Sequence, residues 1–161
     1  EADGLTLALG HELHHEYQAP NTGDTATKIG VAWESGLLAL AAVAEKLDYE
    51  TATGHLERKA WFVSGTYQAN FGTLKAAYSH AGDGYGSAKE LIGAVHSGDS
   101  TGASQLTLGI DRPLSKRTVL IAFYSRIMND AHGGYDFGIN QLGVSEGRRP
   151  SVLSLGMKHN F

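Results

Sequence analysis

The chain predicts an all-β fold, an antiparallel up-and-down barrel of about eight strands. Three observations predict it. Segments of seven to eleven residues alternate apolar and polar side chains with period 2 along most of the chain. The connections between them alternate in length, short near 35, 70 and 114 and longer near 21, 54, 90 and 140. Composition agrees, since 21 Gly and 7 Tyr with only 3 Pro suit many strands and turns. A soluble sandwich has no reason to sort its connections by length onto alternate ends, whereas an up-and-down barrel in a membrane does so.

Taken in order, residues 4–13 begin with Leu5, Leu7 and Leu9 against Thr6, Ala8 and Gly10, and a polar loop follows over 17–26. Residues 27–33 place Ile29, Val31 and Trp33 opposite Lys28, Gly30 and Ala32, ahead of a tight turn at 34–36. The stretch 37–49 is rich in Ala, Leu, Glu and Lys and favours helix by propensity. Its place between two strands makes it a strand. After a polar link at 51–57, residues 59–68 set Trp61, Val63 and Tyr67 against Phe62, Ser64, Thr66 and Gln68. A hairpin turn at 69–72 leads into 73–80, with Leu74, Ala76 and Tyr78 on one parity. The loop 81–101 is dense in Gly, Ser and Asp and is expected to hold a short helical turn at 88–95. Residues 103–111 carry Leu106, Leu108 and Ile110 on one side. Residues 118–127 carry Val119, Ile121 and Phe123 opposite Leu120, Ala122, Tyr124 and Arg126. A second long loop, 128–150, precedes the final strand, expected to run to Phe161.

Composition excludes several classes. No run approaches the roughly 20 apolar residues of a membrane helix, and the mean hydropathy of -0.21 would suggest a soluble protein. Barrels hide from such averages because only alternate residues face lipid. Cys is absent, which excludes a disulfide scaffold or thiolate metal site. A net charge of -4 leaves no basic footprint, so no nucleic-acid partner is expected. The strongest short motif is His11-Glu12-Leu13-His14-His15, which on a helix would place two His on one face for zinc with Glu12 as base. The strand-like lead-in and Gly10 argue against that helix. A zinc metallopeptidase is the disfavoured alternative, and no catalytic residue, metal site or cofactor is expected.

The chain ends on Gly156-Met157-Lys158-His159-Asn160-Phe161, with Leu153, Leu155, Met157, His159 and Phe161 on one parity. This ending, together with the stretch from Gly109 through Arg112-Pro113-Leu114-Ser115-Lys116-Arg117 to Arg126, resembles the last strands of Gram-negative trimeric general porins. The resemblance covers nearly all of residues 1–161, read as one porin β-barrel unit, and is strongest from 59 to 161. It implies the carboxy-terminal half of a sixteen-stranded barrel in the outer membrane, so the chain is read as lacking its amino-terminal part. Further implications are a homotrimer, passive diffusion of ions and small hydrophilic solutes, and contact with outer-membrane lipid and lipopolysaccharide. Phe161 is implied as the signal to the barrel assembly machinery. The inward-folded constriction loop of such porins lies in the first half and is expected to be absent here. A complete eight-stranded barrel serving as anchor or adhesin remains an alternative, as does a soluble ligand-binding barrel.

If the Leu, Ile, Val and Phe parity faces lipid, the other parity faces a wet lumen. On that reading Lys28, Lys75, Tyr124, Arg126 and Lys158 line the pore, and the resemblance matches Arg126 and Lys158 to wall basic residues. Glu34 and Asp111 share the lumen parity nearer the turns. Arg112, Lys116 and Arg117 cluster at a turn as surface charges. Trp33, Trp61, Tyr67 and Tyr78 are candidates for interfacial aromatic girdles.

Overall fold

The computed structural model describes residues 4–138 and 143–161, and within them every regular element is a strand. In chain order these are β1 (Gly4–His15), β2 (Gly23–Ser35), β3 (Leu38–Glu50), β4 (His55–Ala69), β5 (Gly72–Ala81), β6 (Tyr85–Gly86), β7 (Ala103–Pro113), β8 (Thr118–Asn129) and β9 (Ser151–His159). The eight long strands form one sheet in the order β1-β2-β3-β4-β5-β7-β8-β9, and the two-residue β6 extends the edge of β4. Every long strand pairs antiparallel with its sequence neighbour or across β6. The sheet is open: the outer edges of β1 and β9 have no partner among the described residues.

The length rule holds. Residues 36–37, 70–71 and 114–117 form the turns at one end, while 16–22, 51–54, 82–102 and 130–150 connect strands at the other. We call these the turn side and the loop side. The strand over 37–49 forms as context demands: β3 exchanges bonds with β2 and β4 along its whole length, and this pairing overrides its helical propensity. Two expectations are corrected. Residues 88–95 hold no helical turn. Ile92 and Val95 exchange backbone hydrogen bonds at 2.8 and 3.0 Å around a tight two-residue turn instead. The last strand stops at His159, two residues short of the expected end.

Register defines two faces. On one, Leu7 lies opposite Val31, Val31 opposite Ala42, Ala42 opposite Val63, Val63 opposite Tyr78, and Tyr78 opposite Leu106. The row below runs Ala76, Leu108, Tyr124, Leu153. This apolar face is bare: Leu7 is 74% exposed, Leu9 79%, Leu153 68% and Leu155 77%. A water-soluble monomer does not leave so wide an apolar surface uncovered. Transfer of each such side chain into hydrocarbon is worth roughly 1.5–3 kcal/mol. The other face carries Thr6, Ala8, Gly10, Gly30, Ala41, Ser64, Ala77, Thr107, Ser154 and Gly156 between its charges. Small side chains there keep the backbone accessible and leave room beside the wall.

Adjacent residues of β9 test the assignment. With the chain in its whole barrel, Leu155→Arg should destabilise folding into lipid vesicles by about 2–4 kcal/mol, and Ser154→Arg on the opposite face by less than about 1 kcal/mol. Denaturant titration of the vesicle-inserted protein reads both.

Candidate functional site

The polar face carries the chemistry. Near its loop side, four charges on four consecutive strands alternate in sign. Glu12 Oε1 on β1 lies 3.6 Å from Lys28 Nζ on β2. Lys28 Nζ lies 3.2 Å from Glu45 Oε2 on β3, and Glu45 Oε1 lies 3.6 Å from Arg58 Nη2 on β4. Pairing fixes this row, since Lys28 stands directly opposite Glu45, while Glu12 and Arg58 sit one step diagonal to them. Side-chain exposure falls along the row, from 53% at Glu12 to 16% at Arg58. The row therefore starts in solvent and ends under cover.

The cover comes from two loops. Leu56 has the same parity as Arg58 and is fully buried beneath Ala88 and Val95 of the loop after β6, with Tyr49, Ile92 and Tyr135 packed around it. Arg58 Nη1 donates to the Tyr135 hydroxyl at 3.2 Å, and its Nε is buried with no hydrogen-bond partner among the described residues. Tyr135 is held in turn by Asn129 at the end of β8. The amide Nδ2 donates to Tyr135 O and the Tyr135 N–H donates to Oδ1, both at 2.9 Å. Gly84 and Gly86 let the chain pass this close. A methyl group at Gly84 would collide with the His96 carbonyl, and one at Gly86 with that of His55.

At the loop-side rim, Glu90 ties the same loop to the β3–β4 connection. Its Oε2 accepts from Thr51 Oγ1 at 2.7 Å and from Thr53 Oγ1 at 2.5 Å, and the Lys89 N–H donates to Thr53 Oγ1. The two hydroxyls, Thr53 first, hold the carboxyl at about 2, below its ordinary 4.5. Towards the turn side, Lys75 Nζ pairs with Asp111 Oδ2 at 2.5 Å. Between the two sets, Ser125 is buried and bonds Gln105 and Thr107.

Of the five residues expected on this face, Lys28, Lys75 and Lys158 stand on it. Tyr124 and Arg126 do not. Register sets Tyr124 opposite Leu108 and Leu153, and Arg126 opposite Leu106 and Ser151, so both lie on the apolar face. Strand β8 carries large apolar residues on both parities, and only its neighbours decide: Ile121 faces Asp111 and Gly156, while Leu120 faces Met157. Glu12, Glu45, Arg58 and Tyr135 were not anticipated. Counting outward from the two-residue turn at 36–37 would have set Glu45 against Lys28. Nothing local marks Tyr135.

Other expectations fall on the apolar face. Trp33 and Tyr67 sit towards the turn side, and Trp61 and Tyr78 towards the loop side, their ring centroids 5.3 Å apart. Above Trp61, Lys46 and Lys59 stand opposite each other, and Glu57 reaches both at 3.0 and 3.3 Å. Phe161 lies fully exposed beyond β9, its ring centroid 4.8 Å from that of His159. The His11–His15 motif is extended strand throughout, which separates those two residues by roughly 13 Å along the chain rather than one helical turn.

Because the folded-state pKa of Glu90 is depressed, its contribution to loop anchoring is complete above about pH 4.5 and fades as pH falls towards 2. Carbon NMR of the Glu90 carboxyl should titrate near 2. Glu90→Gln should make residues 88–95 more sensitive to limited proteolysis at neutral pH.

The family model for "Gram-negative porin" matches residues 1–132. Among solved structures, the chain is similar to the "Anion-selective porin from Comamonas acidovorans", with a TM-score of 0.73 and 18% sequence identity. That alignment covers 99% of this chain and 45% of that one, so the chain spans less than half the length of the porin it matches. No curated protein matches it. A two-faced antiparallel sheet with connections sorted by length, matched over most of its residues by the family model, makes this chain a member of the Gram-negative porin family, a β-barrel protein of the outer membrane.

Proposed function

We propose that the chain forms the carboxy-terminal half of the wall of a general diffusion porin, through which ions and small hydrophilic solutes pass down their gradients. The observation that carries this reading is the pair of faces: a bare apolar surface on one side, small residues with charges on the other. Two unpaired strand edges support the incomplete wall. In hydrocarbon each unpaired backbone group costs several kcal/mol, so β1 and β9 need further strands to close a barrel. The neighbouring structure is described as anion-selective. The polar face here balances Lys28, Arg58, Lys75 and Lys158 against Glu12, Asp24, Glu34, Glu45 and Asp111, so this half of the wall has no one-signed field.

On this reading the apolar face meets lipid. Trp33 and Tyr67 mark one interface, and Trp61 and Tyr78 the other. Beyond the second interface Lys46 and Lys59 stand at the height of lipid phosphates, including those of lipopolysaccharide, and Arg126 shares the Tyr78 row. Assembly as a homotrimer and recognition of Phe161 by the barrel assembly machinery belong to the same reading. Catalysis has no part in it, because passage needs only a wet path.

The whole porin, reconstituted in planar bilayers, should conduct with ohmic single-channel steps, and the absence of any channel would refute the reading. Lys158→Glu should move the reversal potential in a salt gradient towards cation preference. Arg126→Glu should leave it unchanged, since that side chain stands on the lipid side of the wall. The opposite pattern would mean that the two faces are exchanged.

A further inference from the structure

We infer that this half of the wall carries its own constriction: the segment after β8, a strap held at Asn129, reaches across the lumen face through the Tyr135 side chain to Arg58 on β4. The inference rests on the porin reading above and goes beyond it, since the family resemblance places the constriction loop in the half of the barrel outside this chain.

The strap starts at Asn129, where β8 ends. Its side chain fixes Tyr135 by two hydrogen bonds and accepts no slack, because the same amide also donates to Arg148 O at 2.9 Å. The Tyr135 hydroxyl meets Arg58 on β4. Strands β5 and β7 lie between β8 and β4, so three strand spacings of about 4.8 Å separate the two anchors, roughly 14 Å in all. The Tyr135 backbone stays at the end of β8, held by Asn129, so the long side chains of Tyr135 and Arg58 span the gap between β8 and β4.

A cavity of about 270 Å³, open to solvent, lies beside this bridge, lined by Val43, Glu45, Phe62, Ser79 and Gln105 of the wall and by Tyr135. All five wall residues belong to the lumen face. The space shows that the bridge stands off the wall rather than coating it. Its back is supported as well: the His132 N–H donates to Ser100 O at 2.8 Å, which joins the strap to the β6–β7 loop, itself held by Leu56.

Arg58 is then a specificity-determining residue. Its guanidinium is shared between Glu45 of the charge row and Tyr135 of the strap. It therefore sets both where the strap lies and which charge a solute meets at the narrowing.

The test uses the whole porin in planar bilayers, with polyethylene glycols of graded size as excluded solutes. Tyr135→Ala removes the far anchor and should raise single-channel conductance about two-fold while admitting larger polymers. Tyr135→Phe removes only the acceptor hydroxyl and should give a smaller rise with noisier open current. Should Tyr135→Ala fail to insert, Tyr135→Phe decides alone. Wild-type conductance and polymer cut-off in the inserted variants would overturn the inference and leave the channel reading standing. A wild-type protein that forms no channel would overturn both.

Discussion

The structure depends on one constraint: a backbone that crosses hydrocarbon must satisfy every N–H and C=O within the protein. An antiparallel ladder does this between neighbours and leaves alternate side chains to face opposite media. Everything else in the chain is arranged around that ladder. The eight long strands run 9 to 15 residues, long enough to cross from one aqueous phase to the other. Turns on one side are short, because nothing is asked of them but reversal. Side chains on the apolar face are free to be Leu, Val, Ala or Tyr in almost any order, since lipid has no shape to match.

The other face works under different rules. There the medium is water, and charge is affordable, but an unopposed row of charge would bias everything that passes. The chain alternates signs across β1 to β4 and sets Lys75 against Asp111 further down. Such partly exposed pairs contribute little to folding free energy. Their importance lies in position: they hold long side chains back against the wall. The loop-side connections cover the same end of this face, where Leu56 is buried beneath Ala88 and Val95.

Much of the fold was legible in the sequence, because period-2 alternation and turn chemistry are local signals. The strand over 37–49 was legible only through its neighbours, since its composition favours helix and the ladder overrides that preference. The faces were legible wherever one parity was clearly apolar. Strand β8 broke the rule: Val119, Ile121 and Phe123 are as apolar as Leu120, Ala122 and Tyr124, so hydrophobicity alone cannot orient it, and Tyr124 and Arg126 were placed on the wrong side. The polar face carries Val119, Ile121 and Phe123 on β8, which removes the contrast that the pattern relies on. Of the candidate site, Lys28, Lys75 and Lys158 followed from parity. Arg58 and Tyr135 did not, because their contact joins residues 77 positions apart and depends on how a glycine-rich loop folds back, which no local periodicity encodes.

Joining β8 to β4 has a mechanical consequence. A curved sheet of hydrogen-bonded strands resists stretching along its ladder but bends readily about the strand axes, and its radius is otherwise set only by twist and by closure of the ring. A link between two non-adjacent ribs acts as a tie across an arch. It constrains the curvature of the four strands it spans, β4, β5, β7 and β8.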